Sequence, residues 1–183
     1  MSGGHGAAEG SNKKVALLIS ILALFLALGE TLAKSAQTEA LSANVESSNL
    51  WAYFQARTIR GTVLKTAGEQ IALDPGASPE AVKKQVEEWA KTMARWESDP
   101  ASGDGRKELA AKAKKAEEKR DLSLDRYHHY ELGSAAFQIG IVLASAEVIT
   151  GIAALAFAGG ALGVIGVAML AIGLFAPHAI HLV

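Results

Sequence analysis

Charged side chains are confined to the middle of this 183-residue chain. Of its 37 Asp, Glu, Lys and Arg residues, 32 lie within residues 34–131, in equal numbers of each sign. The apolar run 15–33 holds one charged residue, Glu30, and the long stretch 132–183 also holds one, Glu147. A soluble domain does not contain such long uncharged runs, because most of its helices keep one polar face toward water. The pattern therefore predicts a membrane protein with a charged, water-exposed middle.

Composition and missing motifs exclude several classes of function. The formal net charge is −1, which gives no electrostatic reason to bind nucleic acid. The chain has no cysteine, so it is not a small scaffold held by disulfides. It also lacks a phosphate-binding loop, a nucleophile elbow, a zinc-ligand spacing and a dinucleotide fingerprint. We therefore expect no enzyme activity, no cofactor, no metal site and no nucleic-acid partner.

Three apolar runs approach the length that a helix needs to cross a hydrocarbon core of about 30 Å. The first, residues 15–33, resembles a signal peptide, but it is long for one and no clear cleavage site follows, so we interpret it as an uncleaved span. The second and third, residues 134–158 and 160–176, predict a hairpin that turns at residues 158–160, because glycine reverses the backbone easily. Flexible tails are predicted at residues 1–14 and 177–183.

The charged middle, residues 34–133, predicts a stalk of three helices. The first, about residues 34–73, continues from the first span because no proline interrupts it. The third, about residues 104–133, runs into the second span without a break. The second helix, about residues 79–98, has apolar residues at spacings of four and three, the pattern of a coiled-coil seam: Val82, Val86, Trp89, Met93 and Trp96. The predicted fold class is an all-α membrane protein with three transmembrane helices and a long helical, coiled-coil-like hairpin between the first and the second.

The first helix of the stalk is apolar around most of its circumference, so it needs more than one neighbour. A slender hairpin has little core of its own to provide that cover. Copies of the chain are the simplest neighbours, and we therefore expect a homo-oligomer. One side of the helix carries Leu41, Val45, Ile59 and Val63. The predicted oligomer contacts are Leu50, Trp51, Tyr53, Phe54, Trp89, Trp96, Gly140, Ala144 and Gly151.

Glu147 and Glu30 are the candidate functional residues, because a carboxyl group in hydrocarbon is costly and usually faces protein or water. Glu30 lies near the end of its span, with Lys34 one helical turn away. Glu147 lies near the middle of the predicted second span, on a face of small residues that lets another helix approach closely. Three hypotheses compete for Glu147: a hydrogen bond across a subunit contact, a ring that lines a cation or proton path, and contact with a bound lipid or hydrophobic substrate.

The run KKVALLISILALFLALGETLAKSAQTEALSANVESSNLWAYFQARTIRGTVLKTA, residues 13–67, resembles a bacterial family of small membrane proteins, Domain of Unknown Function 4337. Its most specific part is SAQTEALSANVESSNLWAYFQARTIR, and the charged middle and paired apolar runs are similar to the same family. The resemblance implies a bacterial, three-span protein of the inner membrane. It implies no activity, cofactor or catalytic residue.

The function expected from these patterns is structural: a homo-oligomeric helical assembly in the inner membrane, in contact with the bilayer and with copies of itself. The alternative is an oligomeric ion or proton channel, or transporter, with Glu147 along its path. Two lysines before the first span favour a cytoplasmic N-terminus, whereas the basic residues over all flanks favour a cytoplasmic stalk. We adopt the cytoplasmic stalk as the prediction.

Overall fold

The computed structural model describes residues 4–179, with side chains from Lys13 onward. Within these residues all regular secondary structure is helical, without strands. Four helices follow one another: α1 (Gly4–Ala72), α2 (Pro79–Glu97), α3 (Arg106–Thr150) and α4 (Ala153–Phe175). Three of them, α1, α3 and α4, are long and apolar enough to cross a membrane. The predicted fold class, all-α with three candidate spans and a long first helix, is confirmed.

The chain divides into two compact units. One, here the charged unit, is Leu41–Arg120. The other, here the apolar unit, comprises the described residues up to Ala40 and from Asp121 onward. Both α1 and α3 contribute residues to each unit.

Local side-chain contacts set the helix ends of the charged unit. After α1, the Asp74 carboxylate accepts a hydrogen bond from the Gly76 amide at 2.9 Å, and Pro79 then occupies the first turn of α2. In the first turn of α3, the Glu108 carboxylate accepts hydrogen bonds from Ser98 Oγ at 2.8 Å and from the Asp99 amide at 3.1 Å. The Ser98 hydroxyl and the Asp99 amide stabilise the ionised form and lower the pKa of Glu108. No residue of α2 is fully buried, but four of the five residues of the predicted coiled-coil seam are half-buried; the fifth, Val86, is 37 % exposed.

Small residues let the helices of the apolar unit approach closely. A Cβ placed on Gly159 of α4 would lie 2.6 Å from the carbonyl oxygen of Gly140 on α3. One on Gly166 would lie 2.7 Å from the ring of Phe137, which also stacks on Phe25 of α1 with ring centroids 5.8 Å apart. Side chains larger than hydrogen at these glycines would force α3 and α4 apart. The core is completed by Leu22, Ala36, Tyr130 and Leu170.

The turn between the second and third spans is not where the sequence analysis placed it. The break falls at Gly151–Ile152, between α3 and α4, and residues 158–160 lie inside α4. Gly151 has φ +72°, a left-handed conformation that glycine adopts without steric cost. Gly159 is instead required by the close contact with α3. The spans therefore end and begin earlier than predicted, at Thr150 and Ala153.

The N-terminal prediction also needs correction. Residues 1–14 were expected to form a flexible tail; residues 1–3 lie outside the described part of the chain, and α1 begins at Gly4. The segment contains no proline, so nothing in the backbone prevents the helix from extending in this direction. Of the predicted C-terminal tail, residues 177–179 form a turn and bend, and residues 180–183 lie outside the described part of the chain.

Candidate functional site

Glu147 lies in the last turn of α3, three residues before the helix ends at Thr150. Its position near the middle of a span, expected from the sequence, is therefore wrong, because the second span ends earlier than predicted. Leu22 of α1 packs against Gly140, where an added Cβ would lie 3.3 Å from the Leu22 side chain. Because α1 and α3 are antiparallel, seven residues after Gly140 on α3 correspond to seven residues before Leu22 on α1. Glu147 therefore lies near the level of Val15, at the start of the first apolar run.

The Glu147 side chain is buried within the chain. Only 5 % of the residue is exposed, and Oε2 has no hydrogen-bond partner among the described residues. Burying a polar atom without a partner costs free energy, so this carboxyl group is an anomaly in the packing of the apolar unit. Its backbone is ordinary: the Glu147 carbonyl accepts a hydrogen bond from the Gly151 amide at 2.8 Å.

The small residues near Glu147 make contacts within the chain. Gly140 meets Gly159 across the α3–α4 contact, and Ala144 is completely buried at the same contact. Gly151 forms the turn. Gly140, Ala144 and Gly151 were predicted as contacts between subunits. The structure uses Gly140 and Ala144 within the chain, because α4 folds back along their face of α3, whereas Gly151 is exposed and its predicted contact stays a prediction.

Glu30 is paired with a residue that the sequence analysis did not single out. Its carboxylate accepts a hydrogen bond from Gln138 Nε2 at 3.2 Å, which joins α1 to α3. The expected partner, Lys34, lines the same surface. Gln138 and Glu147 are nine residues apart on one helix, about 14 Å along its axis, so the two acids act at different levels.

A groove of about 530 Å³ surrounds Glu30 within the apolar unit. We call it the Glu30 groove. From α1 and α3 its lining residues are Glu30, Ala33, Lys34, Gln37, Tyr127, Glu131, Ser134, Ala135 and Gln138. The Tyr127 hydroxyl donates a hydrogen bond to Glu131 at 3.0 Å, and this bond raises the pKa of Tyr127 because the phenol must keep its proton to donate. The Ser134 hydroxyl is buried and has no partner among the described residues.

The aromatic residues predicted as oligomer contacts in the charged unit also pack inward. Trp51 Nε1 donates a hydrogen bond to Glu117 Oε1 at 2.8 Å, and Trp51 meets Phe54 edge to face at 5.4 Å. The Arg106 guanidinium lies over the Phe54 ring at 4.9 Å. Nothing in the sequence marked Glu117, which sits in a run of surface charges.

The other predicted contacts of this unit have mixed surroundings. Arg57 covers the ring of Trp96 at 5.8 Å from its centroid, and the ring of Trp89 lies next to Gly68. Leu50 is half-buried, whereas Tyr53 is 62 % exposed. Among the aromatic candidates of this unit, Tyr53 is therefore the one most available to a second subunit.

An uncovered apolar face runs along α1 within the charged unit. Its large members, Leu41, Val45, Ile59 and Val63, are between 59 % and 64 % exposed. The exposed alanines at positions 52 and 56 lie between them on the same side of the helix. We call these six residues the α1 outer face. A shallow groove of about 440 Å³ follows its C-terminal part, past Ile59 and Val63.

The family model for a domain of unknown function, DUF4337, matches residues 11–176. Comparison with curated proteins and with solved structures gives no match. The matched region contains nearly all of the described helices, including Glu30, Glu147 and the α1 outer face. The resemblance noted in the sequence is therefore confirmed over nearly the whole chain, and the protein belongs to the DUF4337 family.

Proposed function

We propose that this protein is a structural membrane protein that assembles with copies of itself through the α1 outer face. Three helices of a length and composition suited to spanning a bilayer support its membrane location. The observation that carries the assembly proposal is the set of aliphatic side chains left open to solvent in the charged unit. Contiguous apolar surface left open to water marks an interaction site.

The spacing on the α1 outer face is that of a helix-pairing seam. Ala52, Ala56, Ile59 and Val63 follow one another at intervals of four, three and four residues, as in a heptad repeat. From Leu41 to Val63 the face extends over about 33 Å of helix, and the small alanines let a second helix approach closely.

A second copy is the occupant that this face favours. Its six residues are all uncharged, so two identical faces do not repel each other. It offers no charged pattern that would select a different partner, whereas pairing with itself matches apolar surface to apolar surface along the same length. Each exposed side chain buried in this way contributes about 25 cal/mol per Å² of apolar area removed from water.

The experiment compares the wild type with the variant Ile59→Lys/Val63→Lys in the same detergent, with mass measured by light scattering and sedimentation. We expect the wild type to be an oligomer and the variant to dissociate with a dissociation constant raised at least about tenfold, because each copy would bury two ammonium groups in the contact. A wild type that is monomeric at working concentrations, or a variant of unchanged mass, would overturn the proposal.

The matched control is Ala81→Lys/Ala90→Lys, which adds the same two charges at exposed positions of α2 in the same unit. We expect this control to keep the mass of the wild type. Helix content measured by circular dichroism should be equal in all three proteins, since lysine is a good helix former.

No specific observation favours the channel alternative. A ring of Glu147 lining a path between subunits needs that side chain on the subunit surface, and it is 5 % exposed inside one subunit. The structural assembly is therefore the function we propose.

A further inference from the structure

The Glu30 groove lies at the boundary between apolar and charged sequence. On α1 it begins at Glu30, near the end of the first apolar run, and continues to Lys34 and Gln37. On α3 it extends from Tyr127 to Gln138, where the charged sequence gives way to apolar residues. In a helix that spans a bilayer, such a transition marks the level of the lipid headgroups, where tyrosine side chains are also enriched.

The groove contains fixed charges of both signs. Glu30 and Glu131 supply two carboxylates, and Lys34 supplies one ammonium group. Each carboxylate is held by a neighbour: Gln138 donates to Glu30 at 3.2 Å, and Tyr127 donates to Glu131 at 3.0 Å. Each oxygen has more than one acceptor position, so both carboxylates can accept a further hydrogen bond from a ligand.

The size of the groove also suits a small polar ligand. The volume of about 530 Å³ is within the range of small-molecule sites in proteins. Ser134, which lines the groove, is 6 % exposed and its hydroxyl has no hydrogen-bond partner among the described residues. Its Oγ lies against Gly29 of α1, where an added Cβ would be 2.6 Å from it, so this hydroxyl faces the contact between α1 and α3 and not the groove. The small side chains of Ala33 and Ala135, which also line the groove, leave this space open.

We propose that the Glu30 groove binds the headgroup of a phospholipid that carries a primary amine, such as phosphatidylethanolamine. The ammonium group of the lipid donates hydrogen bonds to Glu30 and Glu131, and its phosphate pairs with Lys34. The proposal goes beyond the assembly function and uses none of the residues of the α1 outer face.

The charges of the groove explain why other common headgroups fit less well. Two carboxylates and one ammonium sum to −1, which repels the anionic headgroup of phosphatidylglycerol. The quaternary ammonium of phosphatidylcholine has no N–H group, so it cannot donate a hydrogen bond to Glu30 or Glu131. An amine-bearing zwitterion satisfies both signs of charge.

The experiment measures which lipid the purified full-length protein retains from an equimolar mixture of phosphatidylethanolamine, phosphatidylcholine and phosphatidylglycerol with identical acyl chains, read by native mass spectrometry. We expect phosphatidylethanolamine to be retained about tenfold over each of the others, the effect of one additional charge-assisted hydrogen bond. Equal retention of the three lipids, or a preference for phosphatidylglycerol, would overturn the proposal.

Variants locate the preference in the groove. Glu30→Gln/Glu131→Gln keeps an acceptor for Gln138 and for Tyr127, so the fold is preserved, but it removes both negative charges and should abolish the preference for phosphatidylethanolamine. Lys34→Gln should lower retention of all three lipids. The matched control, Glu87→Gln/Glu88→Gln, removes two exposed carboxylates of α2 and should keep the preference of the wild type. A preference that survives in Glu30→Gln/Glu131→Gln would contradict the proposed site.

The two proposals fail separately. Oligomer mass, measured on the same samples, reports on the α1 outer face, whereas lipid preference reports on the Glu30 groove. A monomer that still prefers phosphatidylethanolamine would defeat only the assembly proposal, and an oligomer without lipid preference would defeat only the lipid site.

Discussion

At the residue scale, Glu147 is a buried carboxyl group whose burial lowers the stability of the fold. Its Oε2 has no hydrogen-bond partner among the described residues, and the side chain is enclosed within the chain. Replacing an unpartnered buried polar group with an apolar one of similar shape removes a desolvation cost. We therefore predict that Glu147→Met raises the free energy of unfolding by about 1–2 kcal/mol, measured by denaturant titration in detergent.

The control for this substitution is Glu147→Gln, which keeps a polar group of the same size and should change the free energy of unfolding less than Glu147→Met does. A loss of stability in Glu147→Met would mean that the carboxyl group has a favourable partner in the membrane, and the interpretation as an anomaly of packing would then be wrong.

Some residues of the site could be recognised from the sequence alone, and others could be recognised only from their contacts in the structure. Glu30 and Glu147 are visible because a charge in an apolar run is unusual whatever surrounds it. Gln138, Glu117 and Ser134 look ordinary, and their importance arises only when α1 and α3 pair in a particular register. The bonds Gln138–Glu30 and Trp51–Glu117 join residues 108 and 66 positions apart, and no local pattern encodes such a separation.

At the scale of helices, the contact between α3 and α4 depends on glycine at one position but not at its neighbour. A Cβ on Gly159 would lie 2.6 Å from the Gly140 carbonyl oxygen, whereas a Cβ on Gly160 would have no atom within 4 Å. We predict that Gly159→Ala lowers the free energy of unfolding by about 1–3 kcal/mol, because backbone must shift to admit the methyl group. Denaturant titration followed by circular dichroism measures the change.

The adjacent variant Gly160→Ala is the matched control for Gly159→Ala. It adds the same methyl group to the same helix without a clash, and alanine favours a helix over glycine by up to about 1 kcal/mol, so its stability should be equal to that of the wild type or higher. Equal stability of the two variants would show that α3 and α4 do not approach as closely as the glycine contact requires.

The ends of the helices could be predicted where proline and charged residues mark them. They could not be predicted from glycine, because glycine occurs both in turns and at close helix contacts. The breaks after α1 and before α2 coincide with Asp74, Gly76 and Pro79, residues whose local chemistry explains them. From the sequence alone, the pair Gly159–Gly160 predicts a turn as well as Gly151 does. In the structure the pair lies inside α4, and Gly151 forms the turn. Only the packing of α4 on α3 decides which glycine does which.

For the whole molecule, the number of membrane crossings determines which connecting segments lie on the same side of the membrane. The α1–α2 connection lies in the chain between the first and second candidate spans, and the Gly151–Ile152 turn lies between the second and third. If α1, α3 and α4 each cross the bilayer once, these two connections face opposite compartments, and the residues after α4 return to the side of the first connection. The charged unit follows the first span and precedes the second in the chain, so it then lies entirely on one side of the membrane.

Single cysteines test this arrangement, because the natural chain contains none. We predict that an impermeant maleimide applied to sealed inverted inner-membrane vesicles labels Ser78→Cys and Ala179→Cys, while Ile152→Cys is labelled only after detergent is added. Ser78 is exposed and makes no side-chain capping bond, and Ile152 is 54 % exposed, so a cysteine at either position is accessible to the reagent. Labelling of Ser78→Cys and Ile152→Cys from the same side would mean that α3 does not cross. The opposite pattern, with only Ile152→Cys accessible in inverted vesicles, would keep three crossings but place the charged unit outside the cytoplasm, because it reverses every crossing together.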